Sequence, residues 1–251
     1  RQAITIPVND GEWDYAYGQI RRANIMLRNT DNGSLSDDDA AHWEGIGRFF
    51  RAFNYFNLLK KFGEVRLIDE VLTDESEALY GPRASRSAIA DFIVDDRTFA
   101  AANIKPSNNQ NTITKSAANA LLSRFGLFEG TWRKYHGLGG ENAYLQASFD
   151  ASTKLIEEHP TLMSEYDLVF NSESLDGEPG ILLYKDYVFG EVRHFLTSRH
   201  RNSSGNWDLT KKAVDMYLML DGTPVSADPD FVNREKDPYD EFRNRDRRLY
   251  I

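Results

Sequence analysis

The sequence predicts a mainly α fold: a tetratricopeptide-like scaffold of helical pairs with an irregular, loop-rich region. Three observations carry this prediction. Apolar residues recur at three- and four-residue spacing through most of residues 13 to 158, the period of a helix with one buried face. Capping residues stand where those stripes start and stop. Beyond Pro160 the period gives way to Gly, Pro, Asn and Ser, the residues of turns. At 251 residues the chain is long enough for one sizeable core. The expected organisation is a single-domain fragment over 1–251, with a helical scaffold in 1–160 and a loop-rich region in 161–251 packed on it.

The first helix is expected from Trp13 to Arg28, on the stripe Trp13, Tyr17, Ile20, Asn24 and Leu27. Asn24 in that stripe reads as a buried amide hydrogen-bonded to a neighbouring loop. The second starts at Ser36, followed by Asp37, Asp38 and Asp39, carboxylates that favour a helix N-terminus. Its stripe runs Trp43, Ile46, Phe50 and Phe53, widened by Phe49 and Phe56, and it closes on Lys60, Lys61 and Gly63. The core is expected around Phe49, Phe53, Phe56 and Phe125, with Trp43 in it. A third helix follows Pro82, with Ile89, Phe92, Ile93, Phe99 and Ala100 on its apolar side. Thr114 caps the fourth, striped by Ala117, Leu121, Phe125 and Phe128; the fifth runs from about Glu141 to Glu158. Ala117, Ala118 and Gly126 face Ala147 and Ala151 as small residues for close helix approach. This pairing suggests a tetratricopeptide-like array without a clean repeat of about 34 residues. Further on, Ile181 to Tyr184 reads as a short strand, Thr210 opens a helix expected to end at Gly222, and Asp237 caps a last short helix.

Composition excludes several functions. A net charge of −9 argues against nucleic acid as a partner, because backbone binding requires clustered Lys and Arg. The basic stretch Arg243 to Arg248 is interrupted by Asp246 and reads as a solvated or ion-paired helix end. With no cysteine there are no disulfides and no thiolate chemistry. No apolar run reaches the roughly 18 residues a membrane-spanning helix needs. The sequence has no H-E-x-x-H, G-x-S-x-G or P-loop, and Gly137, Gly139 and Gly140 complete no dinucleotide fingerprint. His194 and His200 read as surface residues rather than a shared metal site. Carboxylates are plentiful, but no pair is singled out for glycoside hydrolysis. The sequence therefore points to no catalytic residue, no metal and no cofactor.

Six segments carry a family resemblance. Tyr17, Ile20, Arg21, Arg22, Ala23 and Asn24 fit "YxxIRRAN"; Arg51, Ala52, Tyr55, Phe56, Leu58, Phe62 and Gly63 fit "RAxxYFxLxxxFG". Pro82, Arg83 and Ser85 fit "PRxS", and Thr114, Lys115, Ala117, Ala118, Leu121, Leu122 and Arg124 fit "TKxAAxALLSR". Thr210, Tyr217, Asp221, Gly222 and Pro224 fit "TxxxVDxYxxxDGxP"; Asn244, Arg245, Asp246, Arg248 and Leu249 fit "NRDPRL". Spread in order along the whole chain, they resemble the SusD/RagB family of outer-membrane nutrient-binding lipoproteins. Ile46 stands near the family's usual Glu, and Arg66 and Arg247 replace motif prolines, which frees the backbone there. The resemblance implies a fragment lacking N- and C-terminal parts, a cell-surface location at the outer membrane, and membrane attachment only through an N-terminal lipid anchor absent from this chain. It also implies non-catalytic binding of an oligosaccharide and its delivery to a SusC-like TonB-dependent transporter. Peptide uptake and a purely structural interaction scaffold are the alternatives.

The ligand residues are sought among the tryptophans, since sugar C–H faces pack on aromatic rings while hydroxyls need polar partners. Trp207, beside Ser203, Ser204, Gly205 and Asn206, joins no stripe and is the first stacking candidate, with Asn206 as a hydroxyl partner. Trp13 follows the polar turn Asn9, Asp10 and Gly11 and is the second, against a core reading of the same ring. Trp132 reads as packing.

Overall fold

The computed structural model describes residues 9–30, 33–107, 109–194, 209–229, 231 and 237–250. Two compact units divide the chain: Arg1–Leu162 with Asp176–Tyr184, and Met163–Leu175 with Lys185–Ile251.

The first unit is an array of five long helices: α1 (Gly11–Thr30), α2 (Asp37–Phe62), α3 (Arg86–Asn103), α4 (Lys115–His136) and α5 (Glu141–Glu158). Each packs on the next in sequence. Their ends are fixed locally. Ser36, Ser85 and Thr114 each accept a hydrogen bond on the side-chain oxygen from a backbone N–H three residues on, satisfying a donor that the first turn would leave unpaired. At the far end of α2, Gly63 adopts φ 69 and donates its N–H to the Leu59 carbonyl, a conformation that favours glycine. Gly126 lets α4 and α5 meet closely: a Cβ there would lie 2.5 Å from the Tyr144 carbonyl oxygen and 2.9 Å from the Ser148 nitrogen.

Ile20, Tyr55, Leu58, Leu59, Ile89, Ile93 and Phe125 are fully buried, and Phe56 meets Phe125 edge-on at 5.1 Å. The expected core is corrected at two rings. Phe53 is 42% exposed and Trp43 46% exposed. The stripe Trp43–Ile46–Phe50–Phe53 does share one side of α2, but the buried side is the one carrying Ala52, Tyr55, Phe56 and Leu59. That side also carries Arg51 and Asn54, buried with their polar groups hydrogen-bonded. Apolarity alone therefore does not mark it.

Three boundaries also differ. Ile181 to Tyr184 forms no strand, and among the described residues β pairing is limited to isolated bridges. Gln110 holds this segment instead: its amide donates to the carbonyls of Glu178 (2.9 Å) and Ile181 (2.6 Å), and its own carbonyl accepts from the Tyr184 N–H (3.1 Å). The third helix starts after Ser85 rather than after Pro82. In the second unit, α6 (Leu168–Asn171), α7 (Lys211–Asp215) and α8 (Pro238–Phe242) are short. Thr210 and Asp237 cap α7 and α8 as expected. However, α7 stops at Asp215, because Leu218 bridges to Pro224 around a turn in which Gly222 takes φ 85.

The basic C-terminal stretch divides by role. Arg243 pairs with Asp240 at 2.7 Å and Arg248 with Asp246 at 2.5 Å. Arg245, by contrast, is fully buried and donates to the carbonyls of Val214, Tyr217 and Glu241. No helix among the described residues is long and apolar enough to cross a membrane.

Candidate functional site

The site is built on the segment that follows α2. Residues 65 to 72 run alongside α1 and α2, and side chains from those two helices grip them by the backbone. The Tyr17 hydroxyl donates to the Arg66 carbonyl at 2.8 Å, and the Tyr55 hydroxyl donates to that of Ile68 at 3.0 Å while accepting from the Ile68 N–H at 2.6 Å. The Asn24 amide donates to the carbonyls of Ile68 (3.1 Å) and Glu70 (3.0 Å); Arg21 donates to that of Leu72 at 2.5 Å. Burial pushes the Tyr17 phenol up to about 12, so it remains a donor at neutral pH.

Arg51 completes the frame from α2. Its guanidinium makes two 2.8 Å contacts with the Asp96 carboxylate, donates to the Asn24 side-chain oxygen at 3.1 Å, and reaches the Asp69 carbonyl at 3.3 Å. It also lies 4.7 Å from the centre of the Phe92 ring. Both charges are buried, so the paired geometry and the extra acceptors are what make the arrangement tolerable. Burial still raises the Asp96 carboxyl, against the pull of Arg51 and Arg48. Asn24 thus meets its expectation of a buried amide bound to a loop.

Between α1 and this segment lies a cleft of about 360 Å³, lined by Trp13, Tyr17, Arg21, Arg66, Glu70 and Leu72. Trp13 is half-buried. Its ring sits 4.9 Å from Tyr17 and 5.1 Å, edge-on, from Phe62, with the Arg83 guanidinium 5.5 Å away. The cleft therefore combines a fixed aromatic wall with two guanidinium groups and a carboxylate, the mixture that suits a ligand with apolar faces and many hydroxyls.

Of the three residues singled out from the sequence, Trp13 lines this cleft; Trp207 and Asn206 lie outside the described residues, as does His200. Trp132 packs as expected, stacked on His136 at 4.0 Å with Arg86 over its ring at 4.5 Å. Sequence reasoning missed Arg21 and Glu70 as cleft residues, although Arg66 had drawn notice for standing where a proline was expected. Among the described residues no group of three or more His, Asp or Glu is placed to hold a metal. Glu129, a fully buried carboxylate, is held between Arg86 (2.7 Å) and Arg133 (2.9 Å).

A family model described as SusD-like, starch-binding and associating with the outer membrane matches residues 3–127. A SusD-like protein of Bacteroides ovatus is 24% identical over 186 residues, covering 72% of this chain and 33% of the relative. The fold is that of a SusD-like carbohydrate-binding protein from Bacteroides fragilis, with a TM-score of 0.72 at 24% identity over 95% of this chain and 45% of that one. A laminarin-binding SusD-like protein aligns with a TM-score of 0.52 at 22% identity, over 66% of this chain and 36% of the other. The chain thus spans about a third of the curated relative's length and less than half of each solved one. The family model, the curated relative and the shared helical scaffold agree, and the chain belongs to the SusD/RagB family.

Proposed function

We propose that this chain binds oligosaccharide without cleaving it, at the cell surface over the outer membrane, as part of a lipoprotein that delivers the glycan to a SusC-like TonB-dependent transporter. Family membership supports the glycan class and the location. The observation that carries the reading to particular residues is the Trp13 cleft: a half-buried indole with Tyr17 beside it, and Arg21, Arg66 and Glu70 around its rim. A sugar ring packed on Trp13 would present its hydroxyls to those polar groups. Trp207 and Asn206 are proposed as further contacts on the sequence argument alone.

Calorimetry against plant, host and microbial polysaccharides, with a peptide panel beside it, tests the proposal. Saturable binding of a glycan, weakened about tenfold by Trp13→Ala when measured at a temperature where the variant is still folded, is the expected result. Binding confined to the peptide panel would replace the glycan reading with peptide uptake. Glycan binding indifferent to both Trp13→Ala and Trp207→Ala would leave the function standing and remove both residues from the site.

A further inference from the structure

The outward side of α2 faces α4 and residues 180–183 across a second groove of about 500 Å³, within the first unit. Phe50, Phe53 and Leu183 stand 44%, 42% and 42% exposed along it. Three positive charges lie near one another beside it. Arg124 lines the groove, Lys60 lies over the Phe56 ring at 4.6 Å, and Arg97, fully buried, lies 5.5 Å from Phe56 and 5.4 Å from Phe125. Among the described residues none of the three forms a salt bridge, and the Arg97 guanidinium nitrogens have no hydrogen-bond partner. Burial together with repulsion from Arg124 and Arg97 holds the Lys60 ammonium below its ordinary value. Along the opposite wall, the backbones of Leu182 and Leu183 make no hydrogen bond to any described residue.

Backbone groups without a protein partner beside an apolar groove are what an added strand uses, and cations without a salt bridge call for carboxylates. A fatty acid would fill the apolar floor but bring one charge and leave the Leu182 and Leu183 amides unused. From these three features we infer that the groove docks an extended, acidic segment of another polypeptide. Its backbone pairs with residues 182–183, its apolar side chains enter between Phe50 and Phe53, and its carboxylates meet Arg124 and Lys60. This site is separate from the Trp13 cleft and does not depend on what that cleft binds.

The test uses a fluorescein-labelled peptide of alternating leucine and glutamate, read by anisotropy against the intact chain. Saturable binding is expected. A lysine-for-glutamate version, and a version N-methylated at alternate residues, should each bind at least about tenfold more weakly. The double variant Lys60→Glu with Arg124→Glu, both positions being exposed, should reverse the charge preference without moving the melting temperature. Binding that ignores charge or N-methylation, binding of laurate in place of the peptide, or no saturation by about 1 mM would each overturn the assignment.

Discussion

At the residue scale the first unit contains a buried ion pair, Arg51 with Asp96, in which each charge is accounted for by the other. Arg51 and Asp96 are 7% and 1% exposed and meet at 2.8 Å. Asp96→Ala strands a guanidinium in the interior, and urea unfolding should show a loss of about 3–5 kcal/mol; a loss below about 1 kcal/mol would mean that Arg51 reaches solvent. The two phenylalanines expected in one core should now separate. Phe125→Ala, at a fully buried ring, should cost about 3–5 kcal/mol, whereas Phe53→Ala should stay within about 0.5 kcal/mol. In the second unit, Arg248 holds the Asp246 carboxyl down to about 2, against an ordinary value of 3.8. The folded chain therefore binds this proton less tightly than the unfolded one. The pair's contribution is present above the ordinary carboxylate value and is lost as pH falls toward 2. A carboxyl titration followed by NMR should place the Asp246 midpoint well below those of the other aspartates; a midpoint near 3.8 would show that the pair does not persist in solution.

At the element scale, what could be read from the sequence was what is decided locally. Ser36, Thr114, Thr210 and Asp237 cap the helices they were expected to cap, and α5 spans Glu141–Glu158 as expected. A cap bonds within its own turn, so nearby residues suffice to identify it. The strand expected at Ile181 and the end of the Thr210 helix failed because both depend on distant partners: Gln110 in one case, the Leu218–Pro224 bridge in the other. The candidate site was half legible for a related reason. Tyr17, Arg21, Asn24, Arg51 and Tyr55 all stood in the recognised segments, yet what they hold is backbone carbonyl, which carries no residue identity to read. Close helix approach gives a sharper test. Gly126→Val would drive a side chain into the α5 backbone, so the melting curve should report about 1–3 kcal/mol of lost stability. A neutral result would show that α4 and α5 can separate at no cost.

For the whole molecule, the helical array and the family it belongs to support the glycan-binding reading proposed above. Glu129 and Asp96, the carboxylates most deeply withdrawn from water among the described residues, are both occupied by arginines. Prolonged incubation with oligosaccharides should therefore leave the reducing ends unchanged. Turnover abolished by a single Asp or Glu substitution would refute that expectation and move the chain to the glycosidases.

The grip on residues 65 to 72 has a practical corollary for engineering. Nearly every anchor takes hold of a carbonyl oxygen, at Arg66, Ile68, Asp69, Glu70 and Leu72, so the side chains there are largely exempt from holding the loop in place. A library randomised at Arg66 and Glu70 alone should retain its helical circular dichroism while exploring new rim chemistries. The chain would then serve as a mounting whose recognition surface can be exchanged without rebuilding the frame.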